Sequence, residues 1–266
     1  MQKEINGLAV YTSGKKTNPS IIFVHGFPFN NSMWKHQIKF LQKDYYCVSY
    51  DIRGLGNSYV GDGQYTMEAY VWDLFSIIDA LELKKPVLCG LSMGGYISLR
   101  AVEVNQSKFS GLILLDTKAD SDDDAGKLIR AKKINQINID GLETFAKEFL
   151  QTLFFEDNIK KNPKLWEENF EIAKSHNPIG VKGALIAMLS RTDTTSYLSQ
   201  IRIPTLLISG AFDKLTPPEK MRQMADKIKN SEFASIPFAG HLSPLENPSM
   251  VNDLIKGFIK RRIVDQ

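Results

Sequence analysis

The chain has 266 residues, 43% of them apolar, which is enough to bury one large core, with or without an inserted lid. Its formal charge of +3 comes from 33 basic and 30 acidic residues with no basic block, which argues against nucleic acid as a partner. The first residues are charged and polar, and no stretch approaches the ~18 apolar residues of a membrane span. The sequence therefore predicts a soluble, cytoplasmic protein with no membrane partner.

The first part of the chain alternates short apolar runs with stretches of helical periodicity, which is typical of a mostly parallel sheet with crossover helices. Each apolar run is short and continuous, as expected for strands that helices cover on both faces. The predicted strands span residues 8–13, 20–25, 45–50, 86–91 and 111–116. The predicted helices span residues 32–42, residues 66–82 with Thr66 as N-cap, and residues 94–104.

Residues 117–198 change this rhythm, because they have helical periodicity without a convincing strand. We expect helices there over residues 125–137, 142–154, 163–173 and 179–190. The acidic run Asp122, Asp123 and Asp124 precedes the first of them. We interpret this run as a solvated helix start whose carboxylates offset the helix dipole, and a metal or cation site is the alternative.

The alternation of strand and helix returns after residue 198. The sequence predicts a strand over residues 203–210, a helix that begins at Pro217 and Pro218, a strand near residues 232–237, and a closing helix with Asn247 as N-cap and Pro248 at its first position. We therefore predict a core domain made of residues 1–116 and 199–266, with residues 117–198 inserted as a helical cap, or lid.

The segment Gly90-Leu91-Ser92-Met93-Gly94 matches the pattern G-x-S-x-G between a buried strand and a helix. In this context the serine lies in a sharp turn, where a Cβ at either glycine would collide with neighbouring backbone. The turn would expose the Ser92 hydroxyl at the top of the sheet. Ser92 is thus the candidate nucleophile, and an ordinary helix-capping serine is the alternative.

A serine hydroxyl is a weak nucleophile, so it needs a base within hydrogen-bond reach and a third group that holds the base. One known chain order for such a triad is serine, acid, histidine. Asp213 follows a predicted strand, and His241 lies in a loop before the last helix. We predict His241 as the general base and Asp213 as the acid that orients it. Asp116, at the end of a neighbouring strand, is the alternative acid.

Acyl transfer places a negative charge on the former carbonyl oxygen, which N–H donors must stabilise. The backbone N–H of Met93 directly follows the candidate nucleophile, and the N–H of Phe27 lies in the turn after strand 20–25. These two groups are the candidate oxyanion hole. Pro28 has no N–H and cannot be the second donor.

The remaining polar residues point to structural roles. We expect His25 to bond neighbouring backbone, and Cys47 and Cys89 to be buried free thiols. Four histidines without a Cys/His cluster predict no metal site. The glycines of residues 51–58 lack both the third glycine and the following helix of a dinucleotide site, so no cofactor is predicted.

The chain resembles the α/β-hydrolase superfamily over nearly its full length, through the segments HGFP, DIRGLGNS, GLSMGG, GAFDKLTPP and AGHLSPLENP. Within it, the chain is most similar to the bacterial carboxylesterases grouped with 3-oxoadipate enol-lactonase and the cofactor-free haloperoxidases, or perhydrolases. The resemblance implies an α/β fold with a mostly parallel eight-stranded sheet, flanking helices and an inserted helical cap. It gives the triad roles to Ser92, Asp213 and His241 and the oxyanion roles to Phe27 and Met93.

The resemblance also implies a function: a serine hydrolase that cleaves small to medium carboxylic esters through an acyl-enzyme, with a small-molecule ester as partner and no cofactor. A lactonase or C–C hydrolase with the same triad is the alternative, and a non-catalytic ligand receptor on this fold is another. Pro28 is similar to the pattern of members with a perhydrolase side activity. The oligomeric state is not readable from the sequence.

A lactonase of this kind would need a basic group aimed at the substrate carboxylate. The candidates in the predicted cap are Lys127, Arg130, Lys132, Lys133 and Arg191. Solvated helix faces are the other interpretation of these side chains.

Overall fold

The computed structural model describes residues 1–264, which form one eight-stranded sheet flanked by helices. The strands are β1 (Gln2–Ile5), β2 (Leu8–Ser13), β3 (Ser20–Val24), β4 (Tyr46–Tyr50), β5 (Val87–Leu91), β6 (Gly111–Leu115), β7 (Thr205–Gly210) and β8 (Ser231–Ile236). They are ordered β1-β2-β4-β3-β5-β6-β7-β8, with β2 antiparallel to both of its neighbours and all other pairs parallel. The predicted α/β class and mostly parallel eight-stranded sheet are confirmed.

α-Helices connect most strands of the sheet and follow the last one. They are α1 (Lys35–Leu41), α2 (Met67–Ala80), α3 (Met93–Asn105), α4 (Asp124–Gln151), α5 (Glu156–Lys161), α6 (Pro163–Lys174), α7 (Pro178–Leu189), α8 (Pro218–Lys227), α9 (Ser243–Glu246) and α10 (Pro248–Ile259). Side chains of α2, α3 and α8 join one buried apolar cluster, and those of α1 and α10 join a second. Within residues 1–264, no helix has the length and apolar character needed to cross a membrane.

The two apolar clusters lie on opposite faces of the sheet, because successive strand residues point to opposite sides. In β3, Ile22 joins the first cluster, whereas Ile21 and Phe23 join the second. Cys47 and Cys89 also belong to the second cluster as buried free thiols, as predicted. Burial on both faces explains why the central strands read as continuous apolar runs.

The segment of residues 117–198, which we call the helical insertion, runs between β6 and β7 and contains α4, α5, α6 and α7. α4 is interrupted at Gly141, whose φ of 83° and ψ of 164° are not helical. It therefore consists of two helical arms, which match the two helices predicted there. The short helix α5 was not predicted. The division of the chain into a core domain and a cap stays a prediction.

The predicted caps of two core helices are confirmed, but one strand was missed. The side chains of Thr66 and Asn247 accept hydrogen bonds at the starts of α2 and α10. β1 was not predicted, because most of its side chains are exposed and lack an apolar alternation. Asn6 and Gly7, with φ of 50° and 75°, connect β1 to β2 in a two-residue hairpin. This Asn-Gly pair was the signal available in the sequence.

Candidate active site

Ser92 lies in the tight turn that joins β5 to α3. Its backbone has φ 52° and ψ −115°, a conformation that residues other than glycine rarely adopt. The flanking glycines make this turn fit, because a Cβ on Gly94 would overlap the carbonyl oxygen of Val24, and a Cβ on Gly90 would overlap the carbonyl oxygen of Gly94. The Thr117 hydroxyl donates to the carbonyl oxygen of Ser92 at 2.8 Å and holds the turn from the neighbouring strand end.

The structure brings Ser92, His241 and Asp213 together in one hydrogen-bonded chain. The Ser92 Oγ lies 2.8 Å from the His241 Nε2, and the His241 Nδ1 lies 2.8 Å from the Asp213 Oδ2. All three side chains are buried. They follow β5, β8 and β7, which are parallel, so their carboxyl ends meet at one edge of the sheet.

Asp213 is held by donors other than the histidine as well. The backbone N–H groups of Leu215 and Thr216 donate to its Oδ1 at 2.8 and 2.9 Å, and the Thr216 hydroxyl donates to its Oδ2 at 2.6 Å. Burial raises the pKa of Asp213, but His241 and Thr216 outweigh burial and hold this pKa below its ordinary value. Burial lowers the pKa of His241, but Asp213 raises it by more. The pair therefore favours a charged carboxylate beside a basic imidazole.

Asp116, the alternative acid, has different partners. Its Oδ1 accepts from the backbone N–H of Gly210 at 2.7 Å, and its Oδ2 accepts from the Ser243 hydroxyl at 2.5 Å and from the Ser243 N–H at 3.2 Å. Burial raises the pKa of Asp116 well above its ordinary value, and the charge of Asp213 raises it further. Asp116 thus joins the ends of β6 and β7 to the loop after His241.

The candidate oxyanion donors lie on the two turns beside Ser92. Met93 is the first residue of α3, so its N–H has no acceptor within the helix. Phe27 lies in the turn after β3 and lines the same cavity as Ser92. The two turns lie close together, as the position of Gly26 shows: a Cβ on this glycine would lie 3.4 Å from the Ser92 Cβ. The ring of Phe27 packs against Phe149 of α4, with the centroids 5.6 Å apart.

A cavity of about 170 Å³ opens beside Ser92, between the sheet and the helical insertion. Its cationic lining residues are Lys118, Arg130 and Lys133. The solvated interpretation is wrong for Arg191, which is buried, and it does not fit Arg130 or Lys133, which line this cavity. Lys127 and Lys132 are exposed, as that interpretation expects.

Lys133 brings positive charge into the cavity. Its Nζ lies 4.2 Å from the ring centroid of Phe149. Burial lowers the pKa of Lys133 to about 8, and repulsion from Arg130 contributes to this shift. The nearby carboxylate of Asp122 is in ion pairs with other cations, Arg130 among them. The cavity beside Ser92 therefore has an excess of positive charge.

Comparisons with known proteins agree with this fold. A family model described as the alpha/beta hydrolase fold matches residues 19–248. The chain belongs to the α/β-hydrolase family. Among its relatives, 3-oxoadipate enol-lactonase 1 of Acinetobacter baylyi is 29% identical over 254 residues, which are 95% of this chain and 93% of the relative.

Solved structures of α/β hydrolases extend the likeness. A thermophilic esterase from Thermogutta terrifontis, with malate bound, is 34% identical, with a TM-score of 0.94 over 99% of both chains. A bromoperoxidase from Bacillus anthracis is 24% identical, with a TM-score of 0.86 over 98% of this chain and 99% of that one, and shows a likeness of fold. The resemblance seen in the sequence is confirmed.

In this α/β hydrolase, the acidic run at the start of α4 is only partly exposed to solvent, whereas the sequence predicts that all of it is. Asp123 is exposed, and its side chain caps α4 by accepting from the Gly126 N–H at 2.8 Å. The prediction of a solvated carboxylate is wrong for Asp122, which is buried and in ion pairs with Arg130 and, at 3.0 Å, with Arg191. The burial of Asp122 could not be predicted from local patterns, because Arg191 is distant along the chain.

Two histidines outside the hydrogen-bonded chain contact the turn of this α/β hydrolase that follows β3 and contains Phe27 and Pro28. The Nδ1 of His25 lies 2.9 Å from the carbonyl oxygen of Gly26, and its Nε2 accepts from the Ile52 N–H at 2.9 Å, which confirms the predicted structural role. His176, in the helical insertion, was not predicted to take part. Its Nε2 lies 3.1 Å from the carbonyl oxygen of Pro28, and burial lowers its pKa to about 4.

Replacing Asp122 by Asn should lower the free energy of unfolding by about 3 kcal/mol at pH 7, because two guanidinium groups would lose their buried partner. Burial raises the pKa of Asp122, but Arg130 and Arg191 lower it by more. The stabilisation is therefore present above the unfolded pKa of about 4 and is lost as the pH falls toward the folded pKa. Urea unfolding at several pH values measures this.

The matched control is Asp123→Asn, which changes an exposed neighbour and keeps a side chain that can cap the helix. We expect this variant to unfold like wild type, and the gap between wild type and Asp122→Asn to narrow below about pH 4. Equal stability of Asp122→Asn and wild type at pH 7 would contradict a net contribution from the ion pairs.

Proposed function

We propose that this α/β hydrolase cleaves small to medium carboxylic esters through an acyl-enzyme. The observation that carries the proposal is the continuous hydrogen-bonded chain from Ser92 through His241 to Asp213, with both contacts at 2.8 Å. The 34% identical esterase structure, which covers 99% of this chain, supports the same activity. Residues 117–198 are proposed as the cap that encloses the substrate, a small-molecule ester.

In the proposed mechanism, Ser92 attacks the ester carbonyl while the His241 Nε2 takes its proton. Asp213 holds the Nδ1–H of the imidazole and stabilises the imidazolium that forms. The N–H groups of Phe27 and Met93 stabilise the negative oxygen of the tetrahedral intermediate. His241 then gives its proton to the leaving alcohol, and water releases the acid by the same steps.

Replacing Ser92 by Ala should reduce ester turnover by on the order of 10⁴-fold or more, because the nucleophile is lost. Hydrolysis of p-nitrophenyl acetate, butyrate and octanoate by both proteins measures the loss and ranks the acyl chains. Ser107→Ala, which removes an exposed hydroxyl in the turn after α3, is the control and should keep wild-type rates. Turnover that survives in Ser92→Ala would contradict the proposed nucleophile.

The two buried carboxylates should respond differently to conversion to amides. Asp213→Asn should lower kcat about 10⁴-fold, because an amide disfavours the imidazole tautomer that serves as base. Asp116→Asn should keep most of the activity, since the hydrogen bonds of Asp116 go to Gly210 and Ser243 rather than to His241. Steady-state kinetics of the two variants on one p-nitrophenyl ester separates them. The reverse ranking would make Asp116 the acid.

A lactone or ester that itself carries a carboxylate is the second candidate substrate, and the charge of Lys133 favours it. Lys133 lines the cavity beside Ser92 and lies against Phe149. A carboxylate bound there would form a charge-assisted hydrogen bond with Lys133, which would replace part of the hydration that this lysine loses on burial. The relative named as an enol-lactonase and the malate-bound esterase structure support this candidate. The perhydrolase side activity that Pro28 suggests stays a prediction.

Replacing Lys133 by Gln should lower kcat/KM for monomethyl adipate about 10- to 100-fold, because a charge-assisted hydrogen bond contributes about 1.5–3 kcal/mol. Methyl hexanoate, which has the same chain length without the carboxylate, should be hydrolysed as by wild type. In wild type, the preference for the anionic ester should decline as the pH rises above about 8, where Lys133 loses its charge.

Lys132→Gln is the matched control, because Lys132 is the exposed neighbour of Lys133 along the chain. We expect Lys132→Gln to leave kcat/KM unchanged for both substrates. If Lys133→Gln lowers kcat/KM equally for the two substrates, the lysine does not recognise a carboxylate. The simple ester then remains the proposed substrate.

A further inference from the structure

The loop that carries His241 is attached to the helical insertion as well as to the sheet. The backbone N–H of His241 itself donates to the carbonyl oxygen of Leu153 at 2.7 Å. The residue before it, Gly240, is so close to the insertion that a Cβ there would lie 2.7 Å from the Phe155 nitrogen. The position of the histidine therefore depends on the short segment that joins α4 to α5.

Glu246, the last residue of α9, connects the two sides of this contact. Its Oε1 accepts from the N–H of Gly240 at 2.8 Å, on the histidine loop. Its Oε2 accepts from the N–H of Phe155 at 2.8 Å and from the Asn158 amide at 2.8 Å, both in the insertion. Each carboxylate oxygen thus faces donors, and the two oxygens hold different segments of the chain.

Asn158 reinforces the same connection from the insertion side. Its amide nitrogen also donates to the carbonyl oxygen of Phe238 at 2.7 Å, so it contacts both Glu246 and the loop that leads to His241. Phe238 has a φ of 54°, a conformation that is unfavourable for a non-glycine residue and that this hydrogen bond helps to hold.

The chemistry of the site requires a carboxylate. An ionised carboxylate only accepts hydrogen bonds, whereas an amide would direct its own N–H groups at one set of donors. Burial raises the pKa of Glu246, and the hydrogen bonds from Asn158 and the backbone counteract that shift. The partly buried carboxylate of Glu246 therefore links the histidine loop to the helical insertion by accepting hydrogen bonds from both.

We infer that Glu246 is a positioning residue: it holds His241 at hydrogen-bond distance from Ser92 by joining the histidine loop to the helical insertion. The inference rests on the proposed function, because it assigns Glu246 a role in keeping the proposed general base in place. The hydrogen bonds of Glu246 reach neither Ser92 nor the ring of His241, so its contact with the histidine loop is through the backbone of Gly240, and its charge also contributes to the raised pKa of His241.

The test is Glu246→Gln, with Glu167→Gln on the exposed face of α6 as the matched control. We expect kcat for p-nitrophenyl acetate to fall by about 10²-fold with KM little changed, because a displacement of about 1 Å at a catalytic group has this effect. The rate at which a fluorophosphonate probe labels Ser92 should fall in parallel. Glu167→Gln should behave like wild type in both measurements.

A purely structural role for Glu246 predicts a different result. Glu246→Gln would then have a lower Tm, with kcat and the labelling rate at 25 °C unchanged. This result would overturn the inference. If Glu246→Gln does not fold, Asn158→Ala takes its place. That variant leaves the carboxylate and removes two hydrogen bonds, so it should slow labelling by a smaller factor, and an unchanged rate would again overturn the inference.

The same measurements on wild type distinguish a failure of the proposed function from a failure of the role inferred for Glu246. Wild type that neither hydrolyses the ester nor reacts with the probe overturns the proposed function, and this inference with it. Active wild type with an equally active and folded Glu246→Gln overturns the inference alone.

Discussion

The positive φ at Ser92 is the constraint on which the rest of the site depends. A non-glycine residue in such a conformation costs on the order of 1–3 kcal/mol, so the surrounding structure has to impose it. β5 on one side and α3 on the other do so, and the close approach of Gly94 to Val24 is what lets the helix start directly above the strand. The serine oxygen is therefore placed by the core of the fold, and the other groups are arranged around it.

Two buried carboxylates near that serine have opposite electrostatic environments. His241 and Thr216 hold the pKa of Asp213 below its ordinary value despite burial, whereas burial and then the charge of Asp213 raise the pKa of Asp116. Environments that separate the pKa values of neighbouring groups are a common basis for different roles at one site. Here one carboxylate contacts the histidine, and the other connects the strand end at Gly210 to the start of α9 at Ser243.

Local patterns in the sequence were sufficient for most of the fold and for the predicted site residues. The apolar runs predicted seven of the eight strands. The G-x-S-x-G motif with the order of Asp213 and His241 predicted three residues that the structure joins by two hydrogen bonds of 2.8 Å, both to His241. Contacts between distant segments were not readable. The burial of Asp122 depends on Arg191, and the contact of His176 with Pro28 depends on how the insertion packs. Neither pairing has a periodicity or a motif that indicates it.

The break at Gly141 divides the longest helical element into parts with separate tasks. The arm before it supplies Arg130 and Lys133 to the cavity, and the arm after it leads to Leu153, which holds the backbone of His241. Because Gly141 interrupts the helix, the two arms turn toward each other, and Lys133 on the first arm contacts Phe149 on the second. A substitution on the first arm is therefore in contact with the second through this pair, so we expect the residues that line the cavity and the segment that holds the His241 backbone to change together during evolution.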